Sequence, residues 1–148
     1  MPRDNEMQVT FVRLDPEVEI PTTAHIGDAA VDLQASVEVS LQPGERASVA
    51  TGLAVAIPQG YAGLVIPRSG HALRAGIGVV NGPGLIDSGY RGEVSVLLIN
   101  HGSEPVTFAK GERIAQLAVV PMVAVEWVEV ETLDDTARGA RGFGSSGS

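Results

Sequence analysis

Val94-Ser95-Val96-Leu97-Leu98-Ile99, with His101-Gly102-Ser103 close behind, is the stretch on which the fold turns. It is short, apolar, rich in β-branched side chains and ended by turn residues, which reads as a buried strand. The same grammar repeats outward in both directions. Gly63-Leu64-Val65-Ile66 and Ile114-Ala115-Gln116-Leu117-Ala118-Val119-Val120 also read as buried strands. Val37-Glu38-Val39-Ser40-Leu41 and Val123-Ala124-Val125-Glu126-Trp127-Val128-Glu129-Val130 alternate apolar with polar residues, the pattern of half-buried strands. Turn residues separate these runs at Gln42-Pro43-Gly44, Pro58-Gln59-Gly60, Asn81-Gly82-Pro83-Gly84 and Lys110-Gly111. Only Ser69 to Ala75 offers a short helix, with Ser69 as its cap. The pattern predicts an all-β barrel or double-sheet sandwich with at most one short helix.

Composition agrees with this reading. The 148 residues suit one domain with a real core. Hydrophobic residues make up 44% and aromatics only 4%, so Val, Ile, Leu and Ala must fill that core. Without cysteine, disulfides and thiolate metal sites are excluded, and a reducing compartment is compatible. No run of about 18 apolar residues is present and the start is polar, so the expectation is a cytoplasmic chain with no membrane partner. The net charge of −8, with only ten Lys and Arg, argues against nucleic-acid binding. Arginines in the glycine-rich segments nevertheless suit a small polyanion.

Residues 1–135 read as the β domain and residues 136–148 as a glycine-rich, flexible C-terminal tail, because Gly, Ser and Arg cannot build a core. Phe143 stands out in that tail. An aromatic can stack on a base, and the flanking arginines and serines can bind phosphate.

Other segments can carry chemistry. Gly84-Leu85-Ile86-Asp87-Ser88-Gly89-Tyr90-Arg91-Gly92-Glu93 sets a lone carboxylate after an apolar pair, where a buried charge needs a partner. Pro67-Arg68-Ser69-Gly70 ends a strand and can open a helix, whose free N–H groups attract anions. Asn81-Gly82 is a hairpin signal. Asp32 is an acid in an apolar setting, and Gln116 an amide inside a buried run. His25, His71 and His101 lack metal-ligand spacing and read as surface or core residues; no phosphate loop of the Gly-Lys-Ser/Thr kind occurs.

In this order, the segments resemble the five motifs of the trimeric dUTP pyrophosphatases (dUTPases). The motifs are similar to Asp28 through Ala35, Pro67 through Gly70, Asn81 through Glu93, Gly111 through Gln116, and Arg138 through Gly147. Two positions depart from the family pattern: Ala30 stands where glycine is usual, and Arg141 replaces a glycine of the tail.

The resemblance implies a distorted jelly-roll or β-clip barrel that hydrolyses dUTP to dUMP and pyrophosphate. Such a reaction limits uracil incorporation into DNA and supplies dUMP for thymidylate synthesis. It implies Asp87 as the general base that activates water against the α-phosphorus. Arg68, Ser69, Gly70, Gln116 and Arg138 would hold the phosphates, with Ser145 and Ser146 as further candidates. Uracil would be read by the backbone of the hairpin around Asn81, Leu85, Ile86 and Asp87, assisted by Ser95. Tyr90 would pack under the sugar and Phe143 would stack on the base. Mg²⁺ would sit mainly on phosphate oxygens, with Asp32 reaching it through water. The expected assembly is a homotrimer with shared sites. The alternatives are a dCTP deaminase-like enzyme and a non-catalytic nucleotide-binding β domain.

Overall fold

The computed structural model describes residues 7–143. Ten strands and one helix follow in order: β1 (Thr10–Arg13), β2 (Ala30–Gln34), β3 (Val39–Leu41), β4 (Arg46–Ala56), β5 (Tyr61–Pro67), α1 (Ser69–Ala75), β6 (Ile77–Val79), β7 (Gly84–Ile86), β8 (Glu93–Asn100), β9 (Val106–Phe108) and β10 (Arg113–Pro121). They form two four-stranded sheets, ordered β1-β4-β8-β6 and β2-β10-β5-β7, and a two-stranded ribbon, β3-β9. Every pairing is antiparallel. The all-β, jelly-roll-like expectation holds. Among the described residues, no helix is long and apolar enough to cross a membrane.

The opening stretch lies in β8, which alternates rather than being buried throughout. Val94, Val96 and Leu98 point into the core while Ser95 and Leu97 are exposed. The core draws on both sheets, with Leu33, Ile114 and Leu117 from one and Val49, Val96 and Leu98 from the other. No aromatic beyond Phe108 enters it, as the composition implied.

Four expectations need correction. Residues 123–130 alternate in sequence but form no strand; Val123, Trp127 and Val128 are exposed. Alternation marks a strand only when a partner supplies the ladder and a face to bury, and neither is present in a single chain. The run from Val37 is strand only over Val39–Leu41. Arg68, not Ser69, is the N-cap of α1, in extended backbone with no side-chain cap, so the serine hydroxyl is not used there. The helix itself ends where expected, at Gly76, whose φ of 67° suits only glycine well.

The fourth concerns Asn81-Gly82-Pro83-Gly84. β6 before it pairs with β8, whereas β7 after it pairs with β5. The turn is therefore a crossing between the two sheets, not the loop of a hairpin. Short-range turn chemistry was right, but the destination of each flank is set by long-range pairing.

Candidate active site

The second sheet lays four of the five sequence segments side by side. In its order β2-β10-β5-β7, β2 carries Asp32, β10 carries Gln116, β5 leads into Arg68, and β7 leads into Asp87. Gln116 is paired with Asp32 on one side and Ile66 on the other, so residues 84 apart in sequence share one row.

At the Pro67 end of this sheet the cations gather. Arg68 leaves β5 and turns its Nε to Asp32 Oδ1 at 2.9 Å, while Arg113 at the start of β10 lies 3.7 Å from Oδ2 of the same carboxylate. One aspartate thus steadies two guanidiniums that would otherwise repel. Ser69 is exposed and Gly70 half-buried at the first turn of α1. The Arg74 guanidinium folds back over Gly70: a Cβ there would come within 2.9 Å of its terminal nitrogen. Gln116 is half-buried rather than fully buried, so its amide keeps access to a ligand. Arg74 and Arg113 were not singled out from sequence; the four-residue spacing from Gly70 could have indicated the first.

The Asp87 end is built differently. The backbone turns at Asp87–Tyr90, with Tyr90 N–H donating to Asp87 O at 3.1 Å. Arg91 braces this turn by donating to the carbonyls of Ser88 and Tyr90 at 2.7 and 2.8 Å. Tyr90 Oη donates to Glu93 O at 2.9 Å, which lays the ring across Gly92. A Cβ at Gly92 would collide with that ring, 2.7 Å from its Cζ, so only glycine permits the arrangement. Asp87 itself is exposed, contrary to the expectation of a buried carboxylate. The apolar pair before it splits: Ile86 enters the core and Leu85 faces out.

These two ends are far apart within one chain. Ile86 pairs with Gly63, Asp87 lies one residue beyond that pair, and Arg68 follows the far end of β5, so roughly 20 Å of extended backbone separates Asp87 from Arg68. Asn81, exposed at the crossing between sheets, covers Gly84 with its amide. Ser95 is exposed on β8, in the other sheet. Arg138 donates from Nε to Arg141 O at 2.8 Å and accepts from Arg141 Nε at its own carbonyl at 3.0 Å, which makes residues 136–141 a compact turn. Phe143 is fully exposed, and Ser145 and Ser146 lie outside the described residues.

Among the described residues no group of three or more His, Asp or Glu comes together to cage a metal. At the cationic end the carboxylate in contact with the arginines is Asp32. That donor set fits a magnesium ion carried on a ligand's phosphate oxygens and retaining water, the habit of that ion.

The sheet thus gathers arginines, an amide and a carboxylate at one end, a setting suited to an anion, and presents a braced, exposed acid at the other. The profile of the dUTPase family matches residues 16–147, and the chain belongs to that family. The deoxyuridine 5'-triphosphate nucleotidohydrolase of Nocardia farcinica is 56% identical over 136 residues, covering 91% of this chain and 82% of the relative. The protein of the same name from Mycolicibacterium gilvum is 54% identical over 145 residues, covering 94% of each. Among solved structures, a mutant of the Staphylococcus bacteriophage 80alpha dUTPase with dUpNHpp superposes with a TM-score of 0.88 at 30% identity. It covers 95% of this chain and 99% of that one. A phage phi11 dUTPase mutant, described with a structural Mg(II) ion, superposes at 0.79 with 26% identity over 85% of this chain and 98% of that one.

Proposed function

We propose that this chain converts dUTP to dUMP and pyrophosphate at a site assembled between subunits. The observation that carries the reading is the row formed by Asp32, Gln116 and Ile66, with Arg68 closing onto Asp32. It places three separate segments around one spot where a triphosphate can be neutralised. Guanidinium forks suit phosphate oxygens, and Ser69 and Gly70 add a hydroxyl and a backbone N–H.

Asp87 acts as general base. It takes a proton from a water whose oxygen bonds to the α-phosphorus; the bond from that phosphorus to the bridging oxygen breaks, and pyrophosphate departs with the electron pair. Exposure of Asp87 in the single chain leaves its carboxylate ready for such a water, and Arg91 and Tyr90 hold the turn in place. Asp32 would hold, through water, a magnesium ion carried on the triphosphate, which would supply charge neutralisation there. The uracil edge is read by backbone groups around Asn81, Leu85 and Ile86, with Ser95 beside them. Tyr90 packs under the deoxyribose, and a ribose hydroxyl meets its ring. Arg138 and Phe143 come over the bound nucleotide from the tail, one to phosphate and the other to base, with Ser145 and Ser146 adding hydroxyls.

The reading places the base and the phosphate site in different subunits of a homotrimer. The long span between Asp87 and Arg68 supports this, because a general base must lie one water away from the α-phosphorus, and within one chain the two ends of β5 are too far apart for that. So does the exposed apolar run of residues 123–130, which alternates as a strand would but has no ladder in its own chain. An apolar groove of about 310 Å³, lined by Phe11 and Val55 of the first sheet and Val31 and Leu117 of the second, has room for a few apolar side chains of such a run from a neighbour.

Metabolically, the reaction keeps uracil out of DNA and furnishes the precursor of thymidylate. Steady-state pyrophosphate release measured with dUTP, dTTP, dCTP and UTP in Mg²⁺ tests the reading. The expected outcome is turnover of dUTP alone. Ammonia from dCTP, or tight dUTP binding with no pyrophosphate, would overturn it.

A further inference from the structure

The proposed triphosphate site contains a side chain that the reaction above does not use. His71, half-buried in α1, places Nε2 2.8 Å from the carbonyl oxygen of Arg113 and 3.4 Å from Nη1 of Arg68. A carbonyl oxygen only accepts, so the closer contact requires a hydrogen on Nε2. That nitrogen then has no lone pair for Arg68. The tautomer is assigned by the network, as for any histidine ring whose partner is known.

The consequence falls on Arg68. Its Nε is engaged by Asp32 at 2.9 Å, while its terminal nitrogens have no acceptor among the described residues once His71 donates elsewhere. One edge of the fork is pinned and the other is left for an anion. The ring plane of His71 is set in turn by Phe108, edge-on at 5.0 Å between centroids and 81° between planes. The bond from His71 to Arg113 also ties the first turn of α1 to the start of β10, two segments 42 residues apart.

We propose that His71 is a positioning residue for the triphosphate: it latches the segment carrying Arg68, Ser69 and Gly70 to the strand bearing Gln116, and by donating to that strand it leaves the open edge of Arg68 free for an anion. This rests on the reading that the Arg68 end holds phosphates. It differs from a plain helix anchor because it concerns the phosphates and not the base.

The test compares His71→Leu, which keeps bulk, with His71→Gln, whose amide N–H can reach the same carbonyl. Loss of one hydrogen bond predicts that His71→Leu raises KM for dUTP about 2- to 10-fold, with kcat changed far less. Inhibition by dUMP, which lacks the outer phosphates, stays at the wild-type level. His71→Gln recovers most of the KM. Unchanged KM in His71→Leu would overturn the proposal, as would equal weakening of dUTP and dUMP, or a glutamine variant as impaired as the leucine one. Calorimetric binding of inorganic tripolyphosphate separates this from the functional reading. If wild type binds tripolyphosphate more tightly than His71→Leu yet hydrolyses no dUTP, the reaction assignment falls and the latch stands. If the two bind it equally, the latch falls.

Discussion

Asp87 owes its place to its neighbours rather than to burial. Ile86 anchors the end of β7 in the core, Arg91 closes the following turn, and the Tyr90 ring crosses Gly92. The carboxylate is thereby presented to solvent on a stiff support. An Asp87→Asn chain should melt within about a degree of wild type, since the side chain makes no hydrogen bond among the described residues, while kcat falls by roughly 10²–10⁴. Thermal melts and pyrophosphate release check both halves; near-normal turnover would remove Asp87 from the role. At this scale the sequence was informative about residue type and poor about environment. The apolar pair Leu85-Ile86 suggested a sheltered acid, but strand alternation sends one inward and one outward, and the acid follows the turn. His71 and Arg113 escaped a functional reading because they meet across α1 and β10, and no spacing rule reports a bond between those elements.

Among the elements, β4 escaped notice although it is the longest strand. Its alanines and the central Gly52 dilute the apolar pattern, and the pairing with β8 shifts register between Ala50 and Ala54. Residues 123–130 failed in the opposite direction, with a clear pattern and no partner. The loop before β2 is held by charge: Lys110 Nζ lies 2.9 Å from Asp15 Oδ2 and also meets the Glu17 carboxylate. The Lys110 ammonium and the Glu17 backbone N–H hold the Asp15 carboxyl below its ordinary 3.8. Glu17, then Asp15, hold the Lys110 ammonium above its ordinary 10.5. A depressed carboxyl contributes stability above its ordinary value, lost as pH falls through the folded one. A raised ammonium contributes below its ordinary value, lost as pH climbs through the folded one. The difference in melting temperature between wild type and Lys110→Ala should thus be small, as for any exposed pair, and flat near neutrality. It should shrink toward zero below about pH 3.8 and above about pH 10.5. A difference that grows toward either extreme would contradict this pairing. The tail makes a separate prediction. Ending the chain at Thr136 should leave the melt unchanged, since among the described residues Arg138 bonds only within its own turn and Phe143 is fully exposed. It should lower kcat/KM for dUTP, and an unaltered value would exclude Arg138 and Phe143 from the site.

For the whole molecule, the decisive fact is that the Asp87 turn and the Arg68 cluster, the two halves of the site we propose, lie at opposite ends of the same sheet. The homotrimer we propose brings the Asp87 end of one subunit to the Arg68 end of another. If residues 123–130 join the copies, Val125→Glu should convert the trimer to smaller species in sedimentation and abolish turnover, because a buried unpaired charge is costly at an apolar contact. An intact trimer in that variant would place the interface elsewhere. Sequence alone determined the all-β character, the position of the one helix among the described residues and the segments to which we assign chemistry. Those depend on local alternation, turn residues and side-chain type. Only the tertiary structure decided that the Asn81 turn joins two sheets, that Asp87 is exposed, and that Asp32 binds Arg68 and Arg113. These follow from which strands pair across dozens of residues, and pairing is chosen by the shared core, a property of the assembled sheets that no single segment contains.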